Sequence, residues 1–238
     1  MANKVMKYFG LPVPELHVAK WVSCPEEHLA ISYVVNPTKE LIYDIENDMM
    51  LNRIVNKEDF IGAYLCDCLL ANADRRQFVI CKTRAISRNV AFFGKISDSL
   101  TKTHCLVFID NSLCFNSPLF DCKVMSPYTL KDLYRFCSDC DVESVASSWF
   151  TKMESITEQI LLELFASVPP SWLDEGICIK TTADRIIQRK RQLNEAFEAL
   201  CAIRRQPGDS RFSIPLSIPR RSVDRTKTFH LALSCRTA

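Results

Sequence analysis

Residues 56–82, NKEDFIGAYLCDCLLANADRRQFVICK, and residues 104–115, HCLVFIDNSLCF, decide how this chain is read. The first opens with Asn56 as a helix cap and Asp59 three positions on, followed by Phe60, Ile61, Tyr64, Leu65, Cys68 and Leu69 at helical spacing. That pattern predicts an amphipathic helix ending in a polar loop, Asn72-Ala73-Asp74-Arg75-Arg76. A β-hairpin of two short strands, Phe78 to Cys81 and Val90 to Phe93, is expected next. A third apolar strand, Cys105 to Ile109, then stops on Asp110, which delivers a carboxylate to a sheet edge.

Two carboxylates with an asparagine between them suit phosphoryl transfer. One acid accepts the proton of the attacking hydroxyl, while the asparagine and the second acid hold Mg²⁺ against nucleotide phosphates. The candidate asparagine is Asn89, at the head of Asn89-Val90-Ala91-Phe92-Phe93-Gly94. The same residues also suit a plainer arrangement, with Asp74 capping a turn and Asp110 ending a strand at the surface. Lys82, Arg84 and Arg88 form a basic group nearby that reads as an exposed loop or a phosphate grip.

Four motifs in order carry a resemblance. Gly10-Leu11-Pro12-Val13-Pro14, then Asn72-x-Asp74-Arg75, then Ile109-Asp110-Asn111-Ser112-Leu113-Cys114-Phe115, and finally Val168-Pro169-Pro170-x-Trp172 resemble the HipA-like kinases of bacteria, whose fold is related to protein kinases and phosphatidylinositol kinases. The likeness spans about Ala2 to Leu200. It implies an α+β fold: a kinase-like C-terminal lobe, mainly helical with small antiparallel β-hairpins. It implies Asp74 as catalytic base with Arg75 holding the loop in shape, Asn89 and Asp110 as metal and nucleotide ligands, and ATP and Mg²⁺ as cofactors. The family loop reads N-x-D-R-H-x-x-N and the later motif I-D-H-x-x-A-F. Here Arg76, Val79 and Asn111 stand at three of those positions. The chain also begins just before the Gly-Leu-Pro-Val-Pro turn, so most of the N-terminal lobe, with its phosphate-covering loop and nucleotide lysine, is expected to be missing.

Composition sets the outer bounds. With 238 residues, 47% hydrophobic and 24% charged, one soluble domain with a tail is the default. No run of eighteen apolar residues occurs, which argues against a membrane span, and no signal-like stretch follows the first lysines. The twelve cysteines are scattered, several of them inside apolar runs (Cys66, Cys68, Cys81, Cys105, Cys114). They read as buried reduced thiols of a cytoplasmic protein rather than a disulfide framework. Cys137-Ser138-Asp139-Cys140 has C-x-x-C spacing without a second pair or a nearby histidine, so structural thiols are expected there too. With five glycines there is no glycine-rich phosphate cradle, and the P-loop, Rossmann, nucleophile-elbow and zinc-protease patterns are all missing from the sequence.

The remaining segments follow from periodicity and punctuation. Residues 2–9 predict a helix stopped by Gly10. Strands are expected at 15–22 and 28–35, joined around Pro25, as an inter-lobe hairpin. Further helices are predicted at 38–52, 129–138, 142–149, 153–166 (stopped by Pro169-Pro170) and 182–204. Trp172 is expected to plug the helical part, and Arg185, Arg189 and Arg191 to be solvated. Residues 1–205 then form one domain: an inter-lobe segment (1–36), a catalytic core (37–116) and a helical part (117–205). Residues 206–238 read as a basic, flexible tail.

Two functions remain open. One is an ATP/Mg²⁺-dependent Ser/Thr kinase domain, truncated, whose activity needs the N-terminal lobe from a partner chain or from an upstream part of the gene. The other is a non-enzymatic pseudokinase-type module that binds or regulates a protein partner. Nucleic acid is not an expected partner, because the basic end lacks interleaved aromatics or a recognisable module.

Overall fold

The chain opens on a helix because Ala2, Val5, Met6 and Phe9 recur at three- and four-residue steps and are all buried. This helix, α1 (Ala2–Phe9), ends at Gly10, whose φ of 90° is left-handed. The Gly10 N–H reaches the Lys7 carbonyl at 2.9 Å and the Leu11 N–H reaches Met6 at 3.0 Å. A glycine takes that conformation without a Cβ clash, and the paired bonds close the helix. Leu11, Pro12, Val13 and Pro14 then run buried across the molecule. The computed structural model describes residues 1–21, 23–31, 52–72, 78–82, 104–109, 114–115, 140–173 and 178–203. All of them fall in the first of two units, Met1–Arg205 and Gln206–Ala238. The predicted helices 38–52 and 129–138, the strand 90–93 and the tail 206–238 lie wholly or almost wholly outside the described residues.

Among those residues the fold is α+β: five α-helices, one 3₁₀ turn and two separate two-stranded antiparallel sheets. The first sheet pairs β1 (Leu16–Trp21) with β2 (Cys24–Ile31). The hairpin is tighter than the sequence predicts, with Pro25 inside β2 rather than in the connection. Lys20 pairs with Glu27 but Trp21 pairs with Cys24, so the register shifts where Pro25 falls and its missing N–H breaks no regular ladder.

The central element is α2 (Asp59–Leu70). Sequence predicts an amphipathic helix, but every residue from Phe60 to Leu70 except Cys68 is buried. The reason is tertiary: α1, α3 (Val142–Glu154) and α5 (Ile179–Ile203) all pack against it. Its one glycine shows how close they come. A Cβ on Gly62 would lie 2.4 Å from the Trp149 ring of α3, so only glycine lets that indole lie on the helix backbone. Phe150 of α3 meets Phe197 of α5 at 5.2 Å between centroids.

The second sheet pairs β3 (Phe78–Lys82) with β4 (His104–Phe108), Phe78 opposite Phe108 and Cys81 opposite Cys105. All five β4 residues are buried. Phe60 joins this sheet to α2, lying 5.5 Å from the Phe78 ring and 6.0 Å from Phe108. The far edge of β4 is covered from two places in the sequence, 53–56 and Pro12. His104 exchanges backbone bonds with Arg53 and Val55 at 2.9 and 2.8 Å, and the Phe108 N–H donates to the Pro12 carbonyl at 2.8 Å. Between them Asn56 works as a strand residue would: its Oδ1 accepts the Leu106 N–H at 2.8 Å, and its Nδ2 donates to the Leu106 carbonyl at 3.1 Å. This corrects the helix-cap reading of Asn56. Its amide does bond Asp59, at 2.8 Å, but no side chain caps the first turn of α2.

The helical part also differs in its joints. Helix α3 runs on to Glu154, and α4 (Glu158–Phe165) starts later than predicted, because Thr157 takes extended geometry and its hydroxyl accepts the Ile160 N–H at 3.3 Å. Pro169 and Pro170 end the run in a 3₁₀ turn, Pro170–Trp172. Trp172 is no core plug. It is half-buried, and its Nε1–H donates to the Glu27 carbonyl of β2 at 3.1 Å, so it ties the first hairpin to the helices. Arg189 is likewise not solvated: it is 5% exposed and donates from Nε and Nη2 to the Cys68 carbonyl. Its neighbour Lys190 reaches the Glu154 and Ile156 carbonyls. Adjacent cations on α5 thus hold the C-terminal ends of α2 and α3, where orphan carbonyls and the helix dipole favour positive charge. No described helix is long and apolar enough to cross a membrane.

Candidate functional site

Asp74 and Arg75 fall in segment 73–77, Asn89 in 83–103 and Asp110 in 110–113, all outside the described residues. What the structure supplies is the frame to which the first and last of these segments are tied. Segment 73–77 leaves from the end of α2. There Ala71 takes a left-handed φ of 53°, and its N–H bonds the Asp67 carbonyl. The Asn72 N–H reaches the same carbonyl at 2.9 Å, while its Nδ2 donates to Asp67 Oδ1 at 2.9 Å. Asp67 is 1% exposed and Asn72 8%, so an acid inside the apolar run Tyr64 to Leu70 is partnered at the start of the loop. That acid was legible as the one charged residue within the run.

The segment re-enters the fold at Phe78, and Phe78 is paired with Phe108. Segment 110–113 departs two residues beyond Phe108, through Ile109, and returns at Cys114. The Phe115 N–H then donates to the Leu70 carbonyl at 3.0 Å, back at the end of α2. Both segments therefore attach to the same two places: the Phe78–Phe108 end of the ladder and the C-terminal turn of α2. The two non-glycine residues with left-handed φ among those described, Ala71 (53°) and Phe115 (65°), bracket this frame. Such strained backbone persists where surrounding bonds hold it, and it gathers at functional sites.

Val79, at the position of the second asparagine in the N-x-D-R-H-x-x-N pattern, is a buried residue of β3 opposite Val107. Its place in the ladder is an apolar one. Among the described residues no group of three His, Cys, Asp or Glu could hold a metal ion.

Burial shifts two titratable groups of α2, Asp59 and Tyr64. Asp59 is pushed up to about 6 by desolvation, against the pull of the Asn56 amide and the charge of Lys152. Burial also raises the Tyr64 hydroxyl. In the ladder the Cys81 and Cys105 sulfurs lie 3.4 Å apart. Cys81 is lowered by the hydrogen bond from Cys105, and Cys105 is raised by the same bond. Sequence reading missed the role of this pair, whose opposition depends on ladder register, and that of Asn56. The solvated reading of Arg189 passed over one signal: it falls three after Ile186 and four before Leu193, on the buried stripe of α5. Set against known proteins, the chain matches no protein-family model, no curated protein and no solved structure.

Proposed function

We propose that this chain is a kinase-type C-terminal lobe of the HipA-like kind that handles ATP and Mg²⁺. In this reading Asp74 deprotonates a Ser/Thr hydroxyl of a protein substrate and Arg75 keeps the loop in shape. Asn89 and Asp110 offer the hard oxygen donors that suit Mg²⁺. When bound, the metal offsets the charge of the phosphate oxygens. The observation that carries the reading is the shared anchoring of the two acid-bearing segments, through the Phe78–Phe108 pair and the Phe115–Leu70 hydrogen bond. Two short segments with common attachment points at both ends are what a two-acid cleft requires.

Val79 favours the second reading, a pseudokinase-type module that binds a protein without phosphorylating it. A buried valine in the ladder leaves Asn89 as the remaining asparagine candidate for the metal. Thermal shift of the full chain with Mg²⁺-ATP separates the two. A stabilisation lost in Asp110→Ala supports nucleotide binding, and a flat response in wild type removes it. Autophosphorylation read by mass spectrometry, compared with Asp74→Ala, tests the chemistry itself.

A further inference from the structure

Cys81 and Cys105 face each other in register across β3 and β4. The outward backbone groups of His104, Leu106 and Phe108 are taken by Arg53, Val55, Asn56 and Pro12. Alternation along a strand therefore turns the Cys105 N–H and C=O toward β3. That makes Cys81–Cys105 a hydrogen-bonded cross-strand pair, for which the Cα separation is about 5.5 Å. A disulfide spans Cα separations of about 4.4 to 6.8 Å, so the backbone has no need to move for one to form. The sulfurs already touch at 3.4 Å, and each thiol also leans on the other residue's carbonyl, at 3.9 Å from Cys81 and 3.6 Å from Cys105. Among the described residues this is the one cysteine pair opposed in either ladder.

We propose that Cys81 and Cys105 are a peroxide-reactive dithiol that closes to a reversible disulfide across β3 and β4. The proposal stands apart from the phosphotransfer reading. Either sulfur can donate to the other across this contact, and the hydrogen bond with Cys105 lowers Cys81, which is taken as the attacking thiolate. The Cys81 thiolate attacks one oxygen of hydrogen peroxide, the O–O bond breaks, and Cys81 sulfenic acid and hydroxide form. The Cys105 sulfur then attacks the sulfenyl sulfur. The S–S bond forms as the S–O bond breaks, and the Cys105 proton leaves with the released hydroxide. Two thiols and one peroxide become one disulfide and two waters. Both residues are at most 1% exposed, so peroxide enters through local opening of the two-stranded ladder. The new bond joins the strand that follows segment 73–77 to the strand that precedes Asp110.

The test treats the reduced full-length protein with hydrogen peroxide and maps its peptides without reduction. The expected main product is the Cys81 peptide linked to the Cys105 peptide, lighter by two hydrogens, restored by dithiothreitol and accompanied by a higher Tm. In Cys105→Ala the linked peptide disappears and Cys81 becomes trappable by a sulfenic-acid-specific diketone. Should that variant not fold, the wild-type map decides alone. Cys81 and Cys105 both remaining free while other cysteines oxidise, or pairing with other cysteines instead, overturns the proposal.

Discussion

The two sheets of this protein share an architecture and have opposite surroundings. Each is a two-stranded antiparallel ladder, which has little stability of its own in water. In β3–β4 the whole of β4 is buried, Phe60 packs on its end, and its outer edge is bonded by Pro12, Arg53, Val55 and Asn56. In β1–β2 the register partners Val18 and Leu29 are 46% and 53% exposed. That hairpin is held at its side by the Trp172–Glu27 bond and by ion pairs such as Lys20–Glu27 at 3.1 Å. Ladder bonds alone do not separate the two. What covers each sheet does.

The largest test of that contrast is truncation on each side. Phe108→Ala is expected to cost about 3–5 kcal/mol in urea unfolding, as deletion of a fully buried aromatic does. Leu29→Ala should stay within about 0.5 kcal/mol. Equal losses at both positions break the comparison. Asn56→Ala comes next. It leaves the Leu106 N–H and C=O without their side-chain partners inside the fold, an expected loss of about 2–4 kcal/mol. An effect near zero means water replaces the amide and the edge is not sealed.

Asp59 sharpens the comparison through pH. Its folded value of about 6 lies above the unfolded value of about 3.9, so the native state holds the proton more tightly. This group therefore makes the protein more stable as pH falls from about 6 to about 4, and its charged form weakens the fold above that window. Asp59→Asn should remove that slope and raise stability at pH 7 by about 1–2 kcal/mol, read as the difference between the two unfolding profiles. A variant that is less stable at pH 7 contradicts it. Trp172→Phe acts only locally. One hydrogen bond to β2 is lost, about 1 kcal/mol locally, so amide exchange should quicken in β2 and stay unchanged in β4.

Much of the secondary structure was legible. Apolar spacing placed α1, α2 and α5, Gly10 marked the first stop, and the apolar run Cys105 to Ile109 marked β4 to within one residue. The break between α3 and α4 was misplaced because apolar residues continue through Ile156, while the stop is set by the Thr157 cap. The residues proposed for chemistry were chosen on motif and resemblance. The structure contributes the anchors on either side of them, Asn72, Phe78, Ile109 and Cys114.

By itself the sequence determined where local periodicity holds: which stretches wind as helices, which extend, and where glycine or proline ends them. Those are contacts between near neighbours in the chain, so a one-dimensional pattern suffices to specify them. Only the tertiary structure decided that α2 is buried on nearly all sides, that Asn56 bonds a strand 50 residues away, that Arg189 reaches 121 residues back to Cys68, and that Trp172 reaches 145 residues back to Glu27. The last three are polar groups facing a specific backbone atom, and the choice between water and that atom is made only when packing has removed the water.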